Sequence, residues 1–473
     1  MKKKIKDNKL VLYIILVAFA MVIVPHLLRY ISGNPALIGE EGYLHERIAE
    51  NILEGDFTRD TSVVGGRTLY YSPYHFLLAM IGLLTSLTAA AIILPLALGI
   101  GSALLFYKIL EKFNIGSTER FVALCIFIVS PAFIYSFSLS TNHPLSLFFV
   151  LFSSWTYLKG GNYHKLAFIS FIIASALNIF NGLLLSLLLI FLLIKTREDQ
   201  KHIFFAVMLL AIIAFFIHPP FTSTYHQTTS SLITELVSDL GSAVGYGVFI
   251  LMLAILGMIW AWPTKKDIYP LYITTITIII VSYFTSYETL MYAAPLISIF
   301  AGIGIGKIKD FEWVLELLKH LTIWIIICGI LFSSISYIAR LPELNPSTDM
   351  IDALEELKDE IKEGDVVLSH HSNGYFIEHI ADATVLTDSH MTSIDNIDEK
   401  LVDIHALFFT RDLEEAKDIF NKYSIDYIVV DKEMKQGLVW AEDEQGLLFL
   451  FRNTETFHKM YSNQEVDIWE VRS

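Results

Sequence analysis

The chain has 473 residues, 54% of them hydrophobic, with a mean hydropathy of +0.54, which excludes a single soluble domain and predicts a polytopic membrane protein. The net charge of −15 argues against a nucleic-acid partner. The two cysteines, Cys125 and Cys328, both lie in apolar segments, so no disulfide framework is implied.

Five lysines, Lys2, Lys3, Lys4, Lys6 and Lys9, precede an apolar run from Val11 to Ile31. Ala18-Phe19-Ala20 mimics a signal-peptidase site, but the apolar run continues well past it, so the segment reads as an uncleaved anchor. Residues 39–55 then read as a short amphipathic helix. Leu44, Ile48 and Ile52 form an apolar stripe, widened by Ala49 and Leu53. Glu40, Tyr43, Glu46, Arg47, Glu50 and Glu54 fall on other faces. Glu41 and His45, one turn apart, land inside the stripe. An acid at bilayer depth costs about 2.5–3.5 kcal/mol on insertion scales, so a catalytic or ligand-binding role for Glu41 is one candidate explanation. The plainer one is an interfacial helix whose carboxylate reaches back to water. Residues 73–87 are apolar but too short for a span, and read as interfacial or re-entrant.

Candidate spans are 11–30, 89–108, 120–139, 144–158, 165–180, 181–195, 202–217, 242–262, 268–287, 290–307 and 320–339, eleven in all. With a cytoplasmic N-terminus, the inner segments carry 18 Lys and Arg. The outer membrane loops carry only Arg29, Arg47, Arg59, Arg67 and Arg340, as the positive-inside rule requires. The span centres contain no Asp, Glu, Lys or Arg. Ion-coupled transporters usually carry such groups near the midplane, so chemistry at the outer surface is favoured over passage across the membrane.

Beyond Arg340 a Pro-containing linker, residues 341–347, leads to an acidic region. Residues 345–473 hold 29 Asp and Glu against 11 Lys and Arg. Helices are expected near 349–362, after Gly374 and over 413–423. Strands are expected at 365–369, 384–386, 426–430, 447–451 and 466–470. That alternation predicts a small α/β domain with a largely parallel sheet. His370, His371, His379 and His390 have no standard metal-ligand spacing and read as satisfied or solvated. The predicted architecture is a transmembrane domain over 1–340, with its first outer loop at 32–88, followed by a soluble extracytoplasmic α/β domain over 341–473.

The first loop resembles the C-type, polytopic glycosyltransferase superfamily (GT-C), the group that includes protein mannosyltransferases, aminoarabinose transferases and the catalytic subunit of oligosaccharyltransferase. Glu41 and Arg47 have the spacing of the oligosaccharyltransferase Asp-Pro-x-x-x-x-Arg, with Glu for Asp and Gly42 for Pro. Glu40-Glu41 is similar to the acidic pair of the mannosyl- and arabinosyltransferases. Asp56, Asp60, Gly66-Arg67 and Tyr71-Ser72-Pro73-Tyr74-His75 resemble the segment that closes this loop in the family. Three departures stand out. Ser140-Thr141-Asn142-His143-Pro144 occupies the place of a second-loop Asp. Glu288–Tyr292 offers no phosphate-binding Arg. The Trp-Trp-Asp signature is absent, Trp440-Ala441-Glu442 not supplying it, which argues against transfer of whole glycans to protein Asn.

The resemblance implies a sugar donor on a polyprenyl (dolichyl-type) phosphate carrier, and a glycan, lipid or protein acceptor on the extracytoplasmic face. It implies a loop carboxylate as general base, Glu41 first and Glu40 second. His45, Arg67, His75, His143 and His218 are the candidates for contacting substrate or phosphate. It also admits a divalent metal, magnesium or manganese, held by Glu41 and His143. The competing readings are a non-enzymatic assembly or binding protein and a transporter or flippase of lipid-linked glycans.

Overall fold

A computed structural model describes residues 2–57, 60–113, 115–161, 163–177, 232–284, 287–442 and 444–472. By contact, the chain divides into two compact units. One comprises Met1–Leu28 and Ile92–Pro342; the other comprises Arg29–Ala91 and Glu343–Ser473. The first outer loop thus groups with the C-terminal residues.

The first unit is helical. The candidate spans within the described residues are helical, but 120–139 is two helices and 242–262 becomes helical only at Val248; 178–180, 181–195 and 202–217 lie outside the described residues. Among the described residues four helices are long and apolar enough to cross a membrane: Lys9–Ile31, Leu87–Leu110, Glu288–Asp310 and Glu316–Glu360. A fifth crossing would be a broken one, Ser117–Val129 followed by Pro131–Ser138, bent by 51°. The break is local chemistry: Pro131 has no N–H to continue the ladder. Ser130 caps the second piece, its Oγ accepting from the Phe133 N–H at 3.2 Å.

Small residues hold this bundle. A Cβ on Gly257, in helix Val248–Ala261, would meet the Phe300 carbonyl oxygen at 1.8 Å, and one on Gly304 would meet the Leu253 carbonyl oxygen at 2.4 Å. The other side of the same helix, Ala294–Asp310, meets Ser117–Val129 through Gly302, where a Cβ would lie 2.6 Å from the Glu119 carbonyl oxygen. Lipid tails are as apolar as leucine, so close backbone approach of this kind, rather than apolar burial, associates membrane helices.

The second unit contains a five-stranded sheet. Its strands are β1 (Val366–Leu368), β2 (Thr384–Val385), β3 (Ile425–Asp431), β4 (Phe457–Ser462) and β5 (Val466–Val471), in the order β2-β1-β3-β5-β4. β1 runs parallel to β2 and β3, whereas β5 is antiparallel to both β3 and β4. The sheet is therefore mixed, correcting the expectation of a largely parallel one. Residues 447–451, expected as a strand, begin instead with a helical turn, Leu447–Leu450. Leu447 and Leu450 are buried three residues apart, and a short apolar run does not distinguish strand from helix by periodicity. The first outer loop docks on the free edge of β2: the Val385 N–H donates to the Ser62 carbonyl at 2.8 Å, and the Val64 N–H to the Val385 carbonyl at 2.9 Å. The linker is fastened by Arg29, whose guanidinium donates to the carbonyls of Ala36 (3.0 Å), Leu344 (2.6 Å) and Pro346 (2.6 Å). Pro73–Gly82 is a ten-residue helix, too short to span a bilayer.

Candidate active site

The expected amphipathic helix is α2, Glu41–Glu54. Two acids, Glu40 at the N-cap position and Glu41 in the first turn, meet the positive end of the helix dipole. Gly55 ends the helix at φ 75°, its N–H bonded to the carbonyls of Asn51 and Ile52, a left-handed cap that glycine adopts without penalty. Every residue from Gly42 to Ala49 is buried, so the first two turns are enclosed on all sides. Glu46 and Arg47, placed by the helical wheel on polar faces, are 2% and 8% exposed. Glu41 itself is half-buried.

The enclosure brings a set of charges together. Arg47 donates to Asp60 through Nη1 at 2.7 Å and Nη2 at 3.0 Å, and to Glu378 through Nη2 at 2.6 Å. Arg67 donates through Nε to Asp60 at 2.7 Å, through Nη2 to Glu378 at 3.0 Å, and through Nη1 to Asp388. Burial pushes the Asp60 carboxyl up, but the hydrogen bonds and charge of Arg47, with the charge of Arg67, outweigh it and hold the group below its ordinary range. Glu378 goes the other way: burial and the adjacent Asp388 carboxylate raise it well above the ordinary range, against the pull of both arginines. Each of the three Arg67 side-chain nitrogens thus faces a carboxylate, and the residue is 1% exposed.

Near Glu40 and Glu41 lie Ser389 and Tyr375, which the sequence did not single out. The Ser389 hydroxyl donates to Glu40 Oε2 at 2.8 Å. The Tyr375 hydroxyl is held neutral, first by burial and then by the charges of Asp388, Glu41 and Glu40. His370 and His371 lie with ring centroids 3.9 Å apart, each driven by burial to about 4 and therefore uncharged at neutral pH. His379 Nε2 lies 3.3 Å from Glu46 Oε2.

His45 and His75 are brought together: His45 Nδ1 lies 2.7 Å from His75 Nε2. His75 Nδ1 accepts from the Ser72 N–H at 3.0 Å, so the proton of the neutral ring sits on Nε2 and is donated to His45. Burial lowers His75 to about 4, so the ring is neutral at neutral pH.

In the first unit, His143 opens the helix His143–Lys159, and its Nε2 lies 3.3 Å from Glu288 Oε2. The Tyr135 hydroxyl reaches Glu288 Oε1 at 3.4 Å. Sequence reasoning noted residues 288–292 only for lacking an arginine; Glu288 carried no signal beyond being an acid at a predicted outer end. Glu41 and His143, expected as a metal pair, belong to different units. Among the described residues no three His, Cys, Asp or Glu side chains converge as a metal site. His218 lies outside the described residues.

No protein-family model matches the sequence, and no curated protein does. Solved structures do. The oligosaccharyltransferase AglB from Archaeoglobus fulgidus, in complex with an inhibitory peptide and a dolichol-phosphate, matches with a TM-score of 0.70 at 13% identity, over 100% of this chain and 74% of that one. The A. fulgidus oligosaccharyltransferase in complex with zinc and sulfate gives 0.67 at 14% identity, over 95% and 71%. ArnT from Cupriavidus metallidurans, bound to undecaprenyl phosphate, gives 0.55 at 11% identity, over 98% of both chains. The chain has the fold of the polytopic C-type glycosyltransferases.

Proposed function

We propose that this protein is a membrane glycosyltransferase that moves a sugar from a polyprenyl-phosphate carrier to an acceptor on the extracytoplasmic face, with Glu41 as general base. The observation that carries the reading is the position of Glu41: a half-buried carboxylate in the first turn of a helix whose residues from Gly42 to Ala49 are all buried, in a chain whose structural neighbours include enzymes solved with dolichol-phosphate and undecaprenyl phosphate. The acceptor hydroxyl oxygen forms a bond to the anomeric carbon as the bond from that carbon to the lipid phosphate breaks. The hydroxyl proton passes to Glu41, and the lipid phosphate leaves with the bonding pair. A free glutamate titrates at about 4.3, far below a sugar hydroxyl, so the proton moves as the new bond forms. Glu40, tied to Ser389, is the second choice for this role. Arg67 is assigned to holding the loop, because contact with phosphate would strip it from three carboxylates.

His143 and Glu288 fit a divalent cation. Their facing atoms are 3.3 Å apart, near the spacing of two ligands that share one ion at about 2.1 Å, and the carboxylate–imidazole donor set suits such ions. A bound cation would offset the charge that develops on the leaving phosphate. The reading keeps eleven crossings, a cytoplasmic N-terminus and an extracytoplasmic C-terminal domain.

E41Q tests the proposal. In cells carrying E41Q at wild-type protein level, mass spectrometry of extracytoplasmic glycans is expected to match a strain without the protein. Wild-type glycans in that strain would rule out Glu41 as the base.

A further inference from the structure

We propose that Glu378 is a positioning residue for the transfer: as a neutral carboxyl it ties Arg47 of α2 to Arg67 and Asp388, and so fixes the helix that presents Glu41. This rests on the functional reading above. Three observations lead to it. Glu378 Oε2 accepts from both arginines, at 2.6 Å and 3.0 Å. Its other oxygen, Oε1, is buried and meets no donor among the described residues, yet the carboxyl shares the Arg67 guanidinium with Asp388, which takes the neighbouring Nη1. Two ionised carboxylates cannot bond to each other; one that keeps its proton donates to its neighbour.

Charge counting gives the same answer. Arg47 and Arg67 balance Asp60 and Asp388, so a third anion in this buried group would be uncompensated. The surrounding groups do not change the sum. Lys400 faces Asp395 first and Asp388 only second. His371 is uncharged at neutral pH, and burial likewise lowers His390. Glu46 faces His379. Tyr375 keeps its proton. Asp388 is fixed in turn: its Oδ1 accepts from the His390 N–H at 2.8 Å, and Gly374 packs so closely that a Cβ there would lie 2.5 Å from the Asp388 Cβ.

Glu378 therefore ties its own segment of the C-terminal domain to α2 through Arg47. Arg47 is six residues from Glu41 on one rigid helix, so releasing Arg47 lets the base shift. A displacement of about 1 Å can lower a rate by about a hundredfold.

The experiment uses the full chain in detergent, with E378Q, E378A and E41Q compared by sugar transfer and by thermal melting across pH. Glutamine keeps a neutral side chain with one acceptor and one donor end, so E378Q is expected to retain transfer. E378A is expected to lose at least about tenfold in kcat with little change in KM, while still eluting as a single folded species. The wild type is expected to lose melting temperature as pH rises above the unfolded glutamate value of about 4.3 and through the raised folded value of Glu378, and E378Q to lack that decline. Equal damage from E378Q and E378A, or the same decline with rising pH in E378Q, overturns the neutral-carboxyl role. Full transfer by E378A alongside an inactive E41Q overturns positioning alone. Full transfer by E41Q overturns the assignment of the base, and the melting curves still decide the protonation of Glu378.

Discussion

Asp60 and Glu378 share the same two arginines and are driven in opposite directions. Asp60 accepts from both arginines, and the pairing outweighs its burial. Its pKa is depressed, so its contribution to stability is complete above the unfolded value of about 3.9 and is lost as pH falls through the lower folded value. D60N should cost about 3–5 kcal/mol at neutral pH, because it leaves two buried guanidinium groups short of a partner. The gap to wild type should close on acidification, which melting curves between neutral and acidic pH would measure. This cluster was only half legible in the sequence. Glu41 and His45 stood out because they broke an apolar stripe. Glu46 and Arg47 did not, because a helical wheel assumes one buried face and α2 has none exposed over its first two turns. Glu378 and Asp388 lie more than 300 residues from Arg67, a separation no local pattern can bridge.

Helices were legible as elements because apolar length and flanking charge mark them without reference to their partners. Their packing was not: Gly257 and Gly304 read as two unremarkable glycines until their backbones are seen against Phe300 and Leu253. A side chain at 304 would have to displace a carbonyl of the facing helix, whereas one at 306 meets the flexible end of Glu119. G304V should therefore lower stability by about 1–3 kcal/mol, the usual cost of overpacking, and G306A by less, as detergent melting temperatures would record. The sheet was misread for a related reason. β4 is mostly polar and lies at the sheet edge, so alternation never flagged it, while the apolar residues 447–451 imitated a strand. The bend between Ser117–Val129 and Pro131–Ser138 was carried by Pro131 all along, within what hydropathy alone presents as one span.

At the scale of the molecule, charge asymmetry is the strongest argument. The basic residues concentrate in alternate loops of the membrane part, and the acidic excess lies in residues 345–473. Lys and Arg are retained on the cytoplasmic side, whereas acids have little influence on orientation. The eighteen basic residues of the inner segments are the basis of the proposed topology, in which the C-terminal domain follows the last span outward. An impermeant maleimide can test this, because the two native cysteines lie in apolar helices and can be replaced by alanine (C125A/C328A) to give a silent background. A cysteine introduced by D398C, an exposed site in the C-terminal domain, should label in intact cells. One introduced by K112C, an exposed site in a basic loop, should label only after the membrane is opened. The reverse pattern would place Glu41 on the cytoplasmic side. Labelling of both sites in intact cells would mean that the number of crossings between them is even, and an odd count is what an outward-facing base requires.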